Sequence, residues 1–189
     1  YRAVLGNSTV QRDLWATVWV TIVVTLVVVA LSWAVALYLR LTNSWLARVV
    51  SALSVVPLFI PVVIASYAIL IFYSTDGFMK TLAYHLGWHS FPSYGYTLTC
   101  VVLGLIWVNI PFAVLMMSSG LNGVPNNLIE AARDAGAPMY RVVWSILLPM
   151  NLIPTVIVAT FTGIYCLGSF TVPYLTGPSA PNLLGVSMS

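Results

Sequence analysis

Residues 126–149 read NNLIEAARDAGAPMYRVVWSILLP, and the interpretation of the whole chain begins with this stretch. It contains four ionisable residues, Glu130, Arg133, Asp134 and Arg141, whereas long uncharged runs precede and follow it. Because an unpaired charge is costly in hydrocarbon, the segment is predicted to lie in water. It is therefore interpreted as an aqueous loop that offers a surface for contact.

The composition around this loop is that of an integral membrane protein. Charged residues make up 6% of the chain and hydrophobic residues 60%. An ordinary soluble domain has about 25% charged residues, so a soluble chain of this composition could not cover its surface. The net charge of +3 comes from basic residues scattered over several loops, a pattern that does not indicate nucleic-acid binding.

Four uncharged runs are long enough to span a bilayer, which takes about 20 residues. They lie between Asp13 and Arg40, between Arg48 and Asp76, from about Tyr96 to Leu121, and from Arg141 to about Leu167. The predicted fold is all-α: a polytopic bundle of four transmembrane helices plus one short helix in the charged loop. Residues 168–189 are predicted to be a loop and not a fifth span, because Pro and Gly are frequent there.

Two further patterns concern the spans themselves. The first carries small residues at helical spacing (Thr17, Thr21, Thr25, Ser32 and Ala36), which predicts a face for close helix packing, with a substrate path as the alternative. Prolines interrupt the later spans at positions 57, 61, 111, 149 and 154 and are expected to bend them. Such bends are typical of proteins that open a cavity, although static bundles have them too.

The loops differ in charge and character. Arg40, Arg48, Arg133 and Arg141 fall on one side of the predicted membrane, and Arg2, Arg12 and Lys80 on the other. This count favours the first side as cytoplasmic. On the second side, residues 74–95 contain Phe78, Leu82 and Trp88, which predict an interfacial helix.

The charged loop has the pattern of a short capped helix. Asn127 is the predicted N-cap with Glu130 as its capping-box partner, Leu128–Ala135 forms about two turns, and Gly136 with Pro138 ends the helix. So short a helix is not stable alone in water, which favours docking to a partner surface. A solvated loop without a partner is the alternative that spacing and chemistry leave open.

The spacing of this segment resembles a known family motif. Glu130-Ala131-Ala132, three residues, Gly136, nine residues, Ile146, one residue and Leu148-Pro149 resemble the EAA motif of type I ABC importer permeases, whose fold is MetI-like. The resemblance covers nearly the whole chain, and the stretch from Gly168 to Pro178 is most similar to the spermidine/putrescine branch. The family's usual six-helix subunit implies that residues 1–189 are a single permease domain lacking the first and last helices. The first residue, Tyr1, is consistent with a fragment.

The resemblance implies a role and partners for the charged loop. In that family the motif forms a cytoplasmic coupling helix that contacts an ATP-binding cassette subunit. This implies contact roles for Glu130, Ala131, Ala132, Arg133, Asp134 and Gly136. It also implies a multi-pass location in a bacterial inner membrane, a second permease subunit (identical or different), surrounding lipid, and a periplasmic or extracellular substrate-binding protein.

No ATP site is visible in the sequence itself. The pattern Gly-x-x-x-x-Gly-Lys is absent, and the single lysine, Lys80, falls on the predicted non-cytoplasmic side. ATP and Mg are therefore expected on the partner subunit, with no cofactor and no enzymatic activity on this chain. Cys100 and Cys166 lie in apolar runs and are expected to be buried thiols, and no metal-ligand cluster stands out.

The expected function is alternating-access import of a small polar solute, with a polyamine as one candidate. Uncharged polar and aromatic residues of the spans are the candidates for lining the path: Ser66, Tyr67, Asn109, Asn151, Thr160 and Tyr165. No carboxylate lies within a span to bind a polyamine, but aromatic faces such as those of Tyr67 and Trp107 could hold an ammonium group by cation–π contact. A secondary transporter is the alternative, disfavoured because the spans carry no ionisable relay. An intramembrane enzyme is disfavoured because they carry no catalytic pair.

Overall fold

The computed structural model describes residues 8–90 and 92–187, and this part of the chain forms helices and connections without a β-strand. Arg2, one of the basic residues counted above, lies outside the described residues. The helices are α1 (Ser8–Leu41), α2 (Trp45–Val55), α3 (Val62–Tyr73), α4 (Phe78–His85), α5 (Leu98–Asn122), α6 (Asn126–Asp134), α7 (Met139–Val142), α8 (Leu148–Met150), α9 (Leu152–Gly168), α10 (Thr171–Thr176) and α11 (Leu184–Ser187).

The long helix α1 is the central element of the bundle. Its 34 residues extend about 51 Å at 1.5 Å per residue, more than a bilayer core requires. One stripe of α1 is buried against α5 and α9. Thr17, Ser32 and Ala36 lie in this stripe as predicted, whereas Thr21 and Thr25 are only half-buried at its margin. Valines at positions 20, 24 and 28 fill the middle of the stripe, so apolar packing dominates this face.

The second predicted span, between Arg48 and Asp76, consists of two helices. After α2 the chain makes a 3-10 turn over Val56–Phe59, and α3 begins beyond Pro61. Ile60 is extended, with φ −94° and ψ 121°. The reason is Pro61, because the proline ring excludes the helical conformation from the residue before it.

The fourth predicted span is also interrupted. From Met139 the chain runs through α7, a π-helical turn over Val143–Leu147 and α8, and then bends by 65° into α9. Asn151 occupies the bend, with φ −101° and ψ 14°. By contrast, Pro111 lies inside α5, which continues through it.

The number of spans follows from these lengths. Within residues 8–90 and 92–187, three helical stretches are long and apolar enough to cross a membrane: α1, Val62–His85 and α5. A fourth results if the bent pair Met139–Met150 and α9 counts as one span. The prediction of an all-α, multi-span bundle is confirmed, and four is the upper count that the structure allows. The predicted helix in residues 74–95 is α4, and Cys100 and Cys166 are both buried and free.

The two ends of the bundle differ in what covers them. One end, here called the charged end, contains the connection 42–44 that follows α1. It also contains α6 and the segment as far as Arg141, which follow α5. At the opposite end, residues 177–187 fold back onto the start of α1. There the buried carboxylate of Asp13 accepts a hydrogen bond from the Asn182 N–H (3.0 Å), and the Thr17 hydroxyl accepts one from Leu184 N–H (2.9 Å). Within the described part of the predicted loop, residues 168–187 contain two short helices, α10 and α11, and residues 177–187 cover this end of the bundle.

Candidate functional site

The short helix α6 at the charged end begins earlier than the sequence predicts. It starts at Asn126 with Pro125 in the N-cap position, and no side chain caps it. The prediction of Asn127 as N-cap with Glu130 as capping-box partner was wrong. The physical reason is that Pro125 already supplies the extended backbone of a cap residue, with φ −61° and ψ 135°, which places Asn127 inside the first turn.

The other end of α6 matches the predicted stop. Gly136 has φ +83°, a left-handed conformation that favours glycine. The Gly136 N–H donates to the Arg133 carbonyl (2.9 Å) and the Ala137 N–H to the Ala132 carbonyl (3.0 Å). These two bonds are those of a Schellman motif, which satisfies the last carbonyls of a helix and reverses the chain.

Most of α6 faces away from the bundle. Ile129 is half-buried and packs against the apolar core, and Ala132 is half-buried as well. Of the residues singled out in the sequence, Glu130, Ala131, Arg133, Asp134 and Gly136 are all exposed. The structure therefore brings these residues together on a projecting element with a charged, narrow surface.

One residue for which the sequence indicated only a charge is Arg40, at the end of α1. Its guanidinium donates through Nε to the Leu121 carbonyl (3.1 Å) and through Nη2 to the Val124 carbonyl (3.0 Å). Nη2 also donates to the side-chain oxygen of Asn126, the first residue of α6. The sequence predicts that Arg40 lies beside an aqueous loop. It does not predict the acceptors of its hydrogen bonds, because they are 81 to 86 residues away along the chain.

A polar cluster lies inside the bundle where the last predicted span bends. The Asn151 side chain is fully buried and donates to the Met117 carbonyl (3.3 Å), while its own side-chain oxygen has no hydrogen-bond partner among the residues that the structure describes. A Cβ on Gly120 would collide with this side chain, so only glycine permits the contact. Thr155 bonds to the Asn151 carbonyl (2.8 Å) and accepts from the Trp33 indole N–H (3.1 Å). The bend is thereby tied to both α5 and α1.

Two of the six predicted path residues share a cleft. Asn109 and Tyr165 line an opening of about 210 Å³ together with Val108, Phe112 and Phe161. Asn109 is largely buried and donates to the Leu105 carbonyl (2.7 Å). The rings of Phe112 and Phe161 lie 5.7 Å apart at their centroids. The cleft is thus mainly aromatic, with one amide and one phenol.

The other four path residues are not brought together with this pair. Ser66 is buried and donates to the Val62 carbonyl of its own helix (2.7 Å), whereas Tyr67 beside it is 49% exposed. Thr160 is exposed and Asn151 lies inside the bend cluster. Whether any of the six contacts a solute stays a prediction.

Comparison with known proteins places this geometry in context. A family model described as "Binding-protein-dependent transport system inner membrane component" matches residues 27–188. The spermidine/putrescine transport system permease protein PotB of Escherichia coli (strain K12) is 30% identical over 133 residues, which cover 70% of this chain and 48% of that protein. PotB of Salmonella typhimurium (strain LT2) is 31% identical over 133 residues, covering 70% and 46%. The chain thus spans about half the length of the curated relatives it matches.

A relative that is named for a different substrate is also similar. The sulfoquinovosyl glycerol transport system permease protein SmoG of Agrobacterium fabrum is 35% identical over 95 residues, covering 50% of this chain and 30% of that protein. Among solved structures, a bacterial ABC transporter that imports the acidic polysaccharide alginate matches with a TM-score of 0.86 at 15% identity, covering 98% of this chain and 68% of that one. At that identity the match concerns the fold alone.

Proposed function

The chain belongs to the family of binding-protein-dependent transport system inner membrane components, and we propose that it is the membrane-spanning permease of an ATP-driven importer. In this proposal the permease moves a small polar solute across the membrane by alternating access. ATP and Mg bind to a separate cassette subunit in the cytoplasm, and this chain binds no cofactor of its own.

The observation that carries the proposal is the exposure of α6. A helix of nine residues is marginal in water, and here one half-buried isoleucine, Ile129, packs it onto the core. The side chains of Glu130, Ala131, Arg133 and Asp134 are exposed and therefore contribute little packing energy to hold the helix in place. Docking of α6 into a groove of another protein would stabilise the helix, and the small side chains of Ala131 and Ala132 would allow a close approach. We assign that groove to the ATP-binding subunit.

The path from α6 into the membrane supports a mechanical role. The chain continues from the Gly136 turn through α7 and a π-helical turn to the bend at Asn151, and then into α9. Displacement of α6 therefore acts directly on the segment Met139–Met150, which forms a 65° bend with α9. A hinge with an incompletely satisfied amide can adopt a second arrangement at little cost, which is what alternating access requires.

The remaining partners follow from the ends and sides of the bundle. The charged end is assigned to the cytoplasm and the opposite end, with α4 and residues 177–187, to the side where a substrate-binding protein delivers its cargo. A solved alginate transporter in complex with a periplasmic protein matches this chain with a TM-score of 0.83, which agrees with such an arrangement. Exposed apolar faces of α1 and α9 are available to lipid and to a second permease subunit, identical or different.

The substrate class is a small polar organic solute, with a polyamine as the first candidate. The relatives include permeases named for spermidine and putrescine and one named for sulfoquinovosyl glycerol, so family membership alone does not select a charge. The cleft beside Asn109 has the aromatic rings of Phe112, Phe161 and Tyr165 and no carboxylate in its lining. Rings can hold an ammonium group by cation–π contact, and they can also stack on a sugar face.

The test is uptake into proteoliposomes that contain the protein together with the ATP-binding subunit that copurifies with it and its substrate-binding protein. We expect ATP-dependent accumulation of solute, and loss of both accumulation and subunit association in Glu130→Ala. Accumulation that follows an ion gradient and is indifferent to ATP would overturn the importer assignment in favour of a secondary transporter. Labelled spermidine and a neutral glycosyl glycerol, supplied separately, decide the substrate charge: uptake of the neutral solute alone would exclude the polyamine.

A further inference from the structure

The guanidinium of Arg40 joins three helix ends at the charged end of the bundle. Arg40 itself lies in the last turn of α1. It donates to the carbonyl of Leu121 in the last turn of α5, to the carbonyl of Val124 in the connection that follows α5, and to the side chain of Asn126, the first residue of α6. Each of these three contacts reaches a different point on the chain that links α5 to α6.

The location suits an arginine for electrostatic and geometric reasons. The last carbonyls of a helix lack partners within the helix and carry the negative end of its dipole. Two such ends, those of α1 and α5, meet here. The planar guanidinium offers five donors in a fixed fork, so one side chain donates to two carbonyls and an amide oxygen at defined positions, whereas the three donors of an ammonium diverge from a single freely rotating nitrogen.

The contact with Asn126 differs in kind from the two carbonyl contacts. Asn126 lies at the start of α6, where an asparagine side chain commonly caps the helix, yet no side chain caps α6. Its oxygen instead accepts from Arg40. Because Ile129 and Ala132 are the members of α6 that turn inward, packing alone constrains the direction of this helix weakly. The guanidinium therefore constrains where α6 starts relative to α1.

We propose that Arg40 is a positioning residue that transmits movement of α6 to the ends of α1 and α5, through its bond to Asn126. The inference rests on the proposed function, in which α6 receives the motion of the ATP-binding subunit. When α6 is displaced, the bond to Asn126 carries the displacement to Arg40, and the two carbonyl bonds pass it to α5. The chain itself connects α6 to α5 through residues 123–125 and to α9 through the bent arm that leads to Asn151, and Arg40 adds a non-covalent connection to the end of α1.

The experiment separates linkage from simple capping by using both partners. Asn126→Ala removes the acceptor and leaves the bonds to Leu121 and Val124 in place, whereas Asn126→Asp keeps an acceptor and adds charge. In the reconstituted complex we expect Asn126→Ala to lower the solute moved per ATP hydrolysed by roughly twofold to fivefold, because a solvent-exposed hydrogen bond to a charged group contributes less than a buried one. Asn126→Asp should restore the ratio. Association with the ATP-binding subunit should stay unchanged in both.

Variants of the arginine complete the test. Arg40→Lys retains the charge but not the fork, and we expect a ratio between that of the wild type and that of Asn126→Ala. Arg48→Gln is the matched control, because Arg48 is an exposed arginine at the same end that does not bond to α6 in the described part of the chain. It should leave the ratio unchanged. If Arg40→Lys fails to assemble, the comparison of Asn126→Ala with Asn126→Asp still tests the proposal.

The outcomes distinguish this inference from the proposed function. If the wild-type complex shows no ATP-dependent uptake, the proposed function fails and the ratio has no meaning. If the wild type transports and Asn126→Ala keeps the wild-type ratio, the importer assignment stands and the role of Arg40 is overturned. If Asn126→Ala and Asn126→Asp are equally impaired, the loss does not follow the hydrogen bond, and the linkage is overturned as well.

Discussion

Gly120 of α5 and Asn151 at the bend before α9 are in direct contact, because the space that a Cβ on Gly120 would fill is taken by the Asn151 side chain. The pyrrolidine ring of Pro154 borders the same space. The contact fixes how closely α5 approaches the bend, and it leaves the Asn151 oxygen buried without a partner. A buried oxygen without a hydrogen bond has a free-energy cost that another arrangement of the bend could relieve, so this contact bears on the conformation of the bend.

Gly120→Ala should therefore destabilise the protein by forcing α5 away from the bend. We expect a loss of about 1–3 kcal/mol, the usual effect of adding a methyl group to a filled interior, seen as a lower Tm in detergent. Gly163→Ala is the control, since its added Cβ would have no neighbour closer than the Thr25 hydroxyl at 4.0 Å. Combining Gly120→Ala with Asn151→Ala should recover most of the loss; an additive double variant would show that the two positions do not share space.

Gly136→Ala tests the turn that ends α6. A Cβ at Gly136 meets nothing within 4 Å, so the effect comes from the backbone alone, where φ is +83°. We expect about 1–2 kcal/mol of strain, weaker association with the ATP-binding subunit in a pull-down titration, and partial recovery in Gly136→Asn, which tolerates this conformation. Gly168→Ala, equally open and without a positive φ, is the control. Equal association for alanine and asparagine would contradict the backbone explanation.

Asp13→Ala should loosen the cover at the opposite end. The variant removes the acceptor of the Asn182 N–H, and Thr17→Val removes that of the Leu184 N–H. Hydrogen exchange followed by mass spectrometry should show residues 177–187 exchanging roughly tenfold faster in Asp13→Ala, because a bond to a carboxylate is among the stronger ones. Asp13→Asn, which retains an acceptor, should exchange more slowly than the alanine variant. Exposed Asp76, at the same end, supplies the control Asp76→Ala.

Asn109→Leu tests the aromatic cleft as a solute site. The amide is the polar group that lines this cleft along with the Tyr165 phenol, so its loss should raise the KM for solute uptake by about tenfold. ATP hydrolysis without solute should not change. Ile164→Ala, on the exposed side of the same helix as Tyr165, is the matched control. An unchanged KM in Asn109→Leu would remove the cleft from the path and direct attention to Ser66 and Tyr67.

Local patterns predicted the parts of the fold that depend on short-range physics. The uncharged run before Arg40 is long enough to cross a bilayer, and a helix is the conformation that satisfies its backbone there. The Gly136 stop was predictable because glycine adopts positive φ without a steric penalty. The Asn127 cap was wrong because Pro125 provides the extended residue first. The sequence predicted a bend near Pro61, but it could not predict that the helix stops at Ile60. Packing against neighbouring helices decides whether a proline bends a helix or ends it.

The sequence by itself determined that this chain is a helical membrane protein, which end carries its charged helix, and to which family it belongs. Those conclusions depend on hydrophobicity, on charge and on a spaced motif, all of which are local. Only the tertiary structure decided that Arg40 binds the end of α5 and the start of α6, that Gly120 admits Asn151, and that Asp13 holds residues 177–187. Each of these contacts joins residues more than thirty positions apart, and only the packing of α1, α5 and α9 brings them within bonding distance.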